Sequence, residues 1–130
     1  MFVDSSVVVA ILSDEDDAEE WLERLRTAET KATSAVVMLE SVMRLSSKLR
    51  IEPLRIESVV LRFFERFGIV ISPIGAAECR LAIQAFSLYG KGRGHPAQLN
   101  LADCLSYACA RNLNIPLLYK GNDFARTDMA

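Results

Sequence analysis

Apolar and polar positions fall into short blocks along this chain, and the blocks change period several times. Residues 1–4 are an apolar run that stops at Asp4 and two serines, and they read as a buried strand. The apolar stretch Val7–Leu12 reads as a helix capped by Ser5 or Ser6, because Asp4-Ser5-Ser6 breaks the strand. The acidic turn from Ser13 to Asp17 leads into a helix running to about Thr27, with Ala18, Trp21, Leu22 and Leu25 at helical spacing. Lys31–Thr33 reads as a short strand. Ser34 then caps a helix from Ala35 to Leu49 whose apolar face is read as Val36, Leu39, Val42, Met43 and Leu49.

Pro53 opens a further helix that Gly68 ends, with Leu54, Val59, Leu61, Phe63 and Phe64 as core candidates. Ile69–Ile71 reads as the clearest buried strand. Helices follow over Ala76–Tyr89 and Leu101–Asn112, the second capped by Asn100. Pro116–Tyr119 is a fourth strand, and residues 127–130 are a candidate edge strand. Strands alternating with helices predict an α/β fold: a single domain over 1–130, with a mainly parallel, twisted sheet of four or five strands flanked by helices.

Composition narrows the class. A chain of 130 residues with 51% apolar content is long enough for one real core and too apolar for disorder. No apolar run approaches the roughly 20 residues that span a bilayer, so no membrane association is expected. Asp4 interrupts any leader pattern, so a cytoplasmic location is expected. Three cysteines without a CxxC pair argue against a disulfide framework or a zinc knot and read as small core residues. A net charge of −2 counts against broad nucleic-acid binding and leaves room for a local basic patch.

Four acids stand where plain surface acids are not expected. Asp4 ends the first strand, Glu40 interrupts an apolar helix face, Asp103 lies in the first turn of an apolar helix, and Asp123 follows the fourth strand. Each has an ordinary reading as a cap, a solvent-facing position or a turn residue. Together they suggest another role. If the first and fourth strands are neighbours, Asp4, Asp103 and Asp123 meet in one crevice beyond the strand ends. Clustered carboxylates repel one another, a penalty that a bound cation removes, and oxygen-only donors favour Mg²⁺ or Mn²⁺. The chemistry such a site suits is phosphodiester hydrolysis.

These blocks carry a resemblance. They are Val3-Asp4-Ser5-Ser6, the segment from Ser34-Ala35 to Leu39-Glu40, Tyr89 to Ala97, Leu99 to Cys104, and Leu117 to Asp128, all in order along the chain. The chain resembles the PIN-domain ribonucleases, and among them the VapC-type toxins of bacterial toxin–antitoxin pairs. The resemblance implies a Mg²⁺- or Mn²⁺-dependent endoribonuclease acting on RNA, with transfer RNA or a ribosomal RNA loop as plausible targets. It also implies a VapB-type antitoxin partner, a homodimer, and contact with DNA only through the antitoxin. Asp4, Glu40 and Asp103 fall on the family's acidic, metal-binding positions, and Ser6 on its hydroxyl position. An earlier acidic position of the family coincides here with Gly121, which leaves the fourth site to Asp123 or Asn122.

The basic loop Gly90–Pro96 offers Lys91, Arg93 and His95 as phosphate contacts, against the plainer reading of a solvated turn. It is not a P-loop, since no Lys-Ser/Thr pair opens a helix. Lys120 and Arg126 lie near Asp123 and are further candidates for RNA or antitoxin contact. Phe63, Phe64, Phe67 and Phe86 read as core aromatics. The apolar surface of the early helices is a candidate groove for an antitoxin helix. Two other readings stand beside the nuclease. One is a binding module that keeps the fold with a weakened site. The other is a phosphatase using Asp4 as nucleophile, for which the second aspartate expected two residues on is replaced by Ser6.

Overall fold

The computed structural model describes residues 1–130. Its elements are β1 (Phe2–Val3), α1 (Ser5–Leu12), α2 (Ala18–Thr27), β2 (Ala32–Thr33), α3 (Ala35–Leu49), α4 (Pro53–Phe67), β3 (Val70–Ile71), α5 (Ala76–Tyr89), α6 (Leu101–Leu113) and β4 (Leu117–Leu118). The strands form one sheet of order β3-β2-β1-β4, every pairing parallel. Phe2 and Val3 pair with Leu117 and Leu118, and Phe2 with Ala32. The chain steps from β1 to β3 in one direction, then returns to place β4 on the other side of β1. This reversal makes the β1–β4 boundary the switch point at which the C-terminal strand ends open a crevice.

The predicted α/β class and its helices are all present, and the sheet has four strands. Residues 127–130 do not extend it. They lie in a turn in which Thr127 donates its hydroxyl to the Phe124 carbonyl at 2.8 Å. The cap of α1 is Asp4, whose carboxylate accepts from the Ser6 N–H, and neither serine fills that role.

Ile69–Ile71 was expected to be buried throughout. Only Ile69 is, and Val70 is 65% exposed: β3 is an edge strand whose main neighbour is β2, whereas β4, at the other edge, is buried against α6.

The expected core faces of two helices are rotated. In α4 the buried positions are Ile56, Val60, Phe63 and Phe64, while Leu54, Val59 and Leu61 are exposed. Leu54 lies two positions from Ile56, about 200° around a helix, so the two cannot share a face. In α3 the inward side is Val37, Ser41, Val42 and Leu45, and Leu39, Met43 and Leu49 face outward. Phe86 is likewise exposed and Phe67 only partly buried. Of the cysteines, Cys104 and Cys109 are buried as expected, but Cys79 is exposed.

The core is one cluster. Phe2, Val3, Leu117 and Leu118 belong to it, with α6 packed on β1 and β4, and α1 and α4 each packed on α3. The contact between β1 and α6 brings Asp4 and Asp103 to the same end of the sheet.

Candidate active site

Asp4 emerges from β1 at the point where its backbone N–H is bonded to the Leu118 carbonyl at 3.0 Å. Its carboxylate is buried, and each of its oxygens is held. Oδ2 accepts from the Ser6 N–H at 3.1 Å and the Ser6 hydroxyl at 2.7 Å, and Oδ1 accepts from the Ser106 hydroxyl at 3.0 Å. The Ser6 hydroxyl in turn accepts from the Lys120 backbone N–H at 2.9 Å, tying the loop after β4 to the start of α1.

Glu40 projects from α3, the helix that Ser34 starts by accepting from the Val37 N–H at 3.1 Å. It is partly buried and accepts a hydrogen bond from the Ser5 hydroxyl, which also accepts from Arg44 at 3.5 Å. Successive residues of α1 thus serve different carboxylates: Ser5 holds Glu40 and Ser6 holds Asp4.

Asp103 is buried in the first turn of α6, where it forms a reciprocal cap with Asn100. The Asn100 N–H donates to Asp103 Oδ2 at 3.0 Å, and the Asp103 N–H donates to Asn100 Oδ1 at 2.8 Å. The capping reading and the site reading of Asp103 are therefore both satisfied. Its carboxyl is pushed up to about 6. Burial is the main cause, opposed by the Asn100 N–H, and the negative charges of Asp123, Asp4 and Glu40 add to the rise. Three carboxylates from three other stretches of chain thus bear on Asp103 at the C-terminal edge of the sheet.

Asp123 stands on the exposed rim, in the loop after β4, with Asn122 beside it. Gly121, at the position where the resemblance calls for an acid, has φ +101°, a conformation that strains any side-chain-bearing residue. The geometry here therefore disfavours an acid at that position.

No three His, Cys, Asp or Glu side chains close into a ready-made cage. The acids instead form an open, oxygen-only set. Oxygen donors of this kind are the type that a hard, partly hydrated cation such as Mg²⁺ takes.

The other expected site residues are more dispersed. The Lys120 ammonium turns away from the acids and pairs with Glu15 and, at 2.9 Å, with Asp17. Lys48 also reaches Glu15, at 2.8 Å. Lys91 and Arg93 are exposed on a loop closed at its neck, where the Leu99 N–H donates to the Tyr89 carbonyl at 2.9 Å. Arg93 lies over the Phe86 ring. His95 packs edge-on against Tyr89, and its Nδ1 accepts from the Ala97 N–H at 3.0 Å, so it braces the loop. Arg126 is exposed beyond Asp123.

Sequence reasoning missed Ser5 and Ser106. Ser106 had a signal, since it lies three residues after Asp103 and so on the same face of α6. Ser5 had none beyond adjacency to Asp4.

Comparison with known proteins places this geometry among relatives. The family model described as PIN domain matches residues 1–129. The chain is similar to ribonuclease VapC28 of Mycobacterium tuberculosis, 42% identical over 127 residues, covering 98% of this chain and 93% of that one. It is similar to ribonuclease VapC42 of the same species, 39% identical, covering 99% and 96%. A VapC ribonuclease of Rhizobium meliloti is 39% identical, covering 98% of each. Among solved structures, VapC20 of Mycobacterium tuberculosis, described as a sarcin-ricin loop cleaving toxin, shares the fold. Its TM-score is 0.76 at 17% identity, covering 99% of this chain and 95% of that chain.

Proposed function

Since the chain belongs to the PIN-domain family, with VapC ribonucleases as its relatives, we propose that it is an endoribonuclease toxin of a VapBC-type pair, dependent on Mg²⁺ or Mn²⁺. The observation that carries the metal dependence is the Asp103 carboxyl, raised to about 6 by burial and by three neighbouring acids. A chain gains nothing in stability from such crowding, and a divalent cation offsets it.

Asp4, Asp103 and Glu40 would hold the cation, with Asp123 or Asn122 at the rim. When bound, it would supply an activated water and stabilise charge developing on the scissile phosphate. The chain's own part is positioning. Ser5 and Ser6 fix two of the carboxylates, and the cap on Asn100 fixes the third. Lys91, Arg93 and Arg126 offer exposed charge for the RNA backbone. His95, whose Nδ1 is engaged within its own loop, is assigned no proton transfer.

The proposed substrate is structured RNA, a transfer RNA or a ribosomal RNA loop, where unstacked bases are accessible. Two apolar surfaces support the proposed partners. Ile11, Leu22, Val59 and Phe67 line a groove flanked by Arg62 and Arg66, suited to an amphipathic, acidic helix of a VapB-type antitoxin. Ile83 and Phe86 of α5 and Leu101 of α6 are exposed along one apolar hollow, a surface suited to a homodimer.

The test is cleavage of total RNA by the purified protein with Mg²⁺ or Mn²⁺. Cleavage is expected to stop with EDTA and to be lost in Asp4→Asn. Cleavage that survives both would overturn the proposal. Light scattering of the same protein, alone and with its antitoxin, reads the two partner assignments, and a persistent monomer that binds no antitoxin counts against both.

A further inference from the structure

We propose that Ser106 is a positioning residue that fixes the metal-binding face of Asp4, an inference that rests on the function proposed above. Ser106 is 2% exposed on α6, 102 residues from Asp4 in sequence. A buried helical serine ordinarily returns its proton to the carbonyl one turn back. This one gives it to Asp4 Oδ1, at 3.0 Å.

A count of acceptor sites gives that bond its meaning. Each carboxylate oxygen has two. Both sites of Oδ2 are taken, by the Ser6 N–H and the Ser6 hydroxyl. One site of Oδ1 is taken by Ser106, so a single site remains to a cation. Ser106 therefore sets the rotation of the carboxylate about its last bond and decides where the free site points. It also lies on the same face of α6 as Asp103, so the helix that carries one acid orients the other. Partners of this kind are worth about 10–100-fold in metal affinity or activity.

The experiment is calorimetric titration of the full chain with Mn²⁺ alone, together with thermal melts in EDTA and steady-state cleavage of RNA. Ser106→Ala is expected to bind Mn²⁺ about tenfold more weakly, with KM for RNA at saturating Mn²⁺ unchanged and the metal-free melt lowered only by the loss of one buried hydrogen bond. Ser106→Thr, which keeps the hydroxyl, is expected to recover affinity. Ser106→Ala with parental Mn²⁺ affinity would overturn the proposal, and a lowered metal-free melt beside that unchanged affinity would assign Ser106 to packing instead. Asp4→Asn separates the two levels. If it cleaves RNA as the parent does, the proposed function fails. If it is inactive while Ser106→Ala matches the parent, only the role of Ser106 fails. A parent that binds no Mn²⁺ overturns both.

Discussion

At the scale of single residues, the site trades stability for chemistry, and Asp103 carries most of the exchange. An aspartate in an unfolded chain titrates near ~3.9. In the folded, metal-free protein Asp103 titrates at about 6. Between those values the folded form holds the extra proton. Asp103 therefore favours folding at low pH, and that contribution is lost as pH rises through about 6. Asp103→Asn removes the buried charge and keeps an oxygen for the Asn100 N–H. It is predicted to raise the melting temperature in EDTA at pH 7.5, by on the order of 1–2 kcal/mol of stability, and to match the parent near pH 4. The same variant is expected to lose RNA cleavage. A melt at pH 7.5 no higher than the parent's would count against this account. Gly121 shows the opposite constraint: its left-handed backbone disfavours an acid where the family pattern calls for one, which no reading of residue types reveals.

At the scale of elements, a network of ion pairs ties the loop after β4 to the turn before α2 and to α3. Glu15 accepts from Lys120 and Lys48, and these two cations, Lys120 first, hold its carboxyl down at about 2. A depressed acid contributes stability above its unfolded value, near ~4.3, and loses it as pH falls toward about 2. Lys120→Met is predicted to flatten the acid limb of the stability profile between those limits, measured by urea unfolding at pH 2.5, 4 and 6. An acid limb identical to the parent's would remove the network from the account. The element boundaries were legible in the sequence because caps and breakers mark them: Ser34, Pro53, Gly68 and Asn100 all stand where the structure uses them. Helix faces were less so. Apolar residues lie all around α3 and α4, and only the packing of α3 against α1 and of α4 against α3 decides that Leu45 and Ile56 turn inward while Met43 and Leu54 do not.

At the scale of the whole molecule, the net charge of −2 means that RNA affinity rests on where the cations lie. Lys91 and Arg93 are exposed and have no ion pairs. Replacing both with glutamine is predicted to weaken RNA binding across sequences. It should also lower the slope of log affinity against log salt by about 1–2, since each lost phosphate contact removes roughly one unit. Fluorescence anisotropy over a salt series checks this, and an unchanged slope would assign the loop to another task. The acids were legible because each interrupts a local pattern, and the α/β order because strands and helices alternate. What the sequence could not supply were contacts between distant segments. Ser106 meeting Asp4 and Lys120 turning to Glu15 depend on chain reversals that only the assembled sheet makes.

Asp4 caps α1 as well as standing in the site, and that double duty bears on how the toxin's genetics should be read. Asparagine is as good a cap as aspartate, whereas alanine gives up about 1 kcal/mol there. Cells clear marginally stable proteins, so an Asp4→Ala allele that spares its host can do so through reduced abundance. The asparagine allele keeps an oxygen for the cap and exchanges the other carboxylate oxygen for an amide nitrogen, so survival in that strain reports more directly on the chemistry.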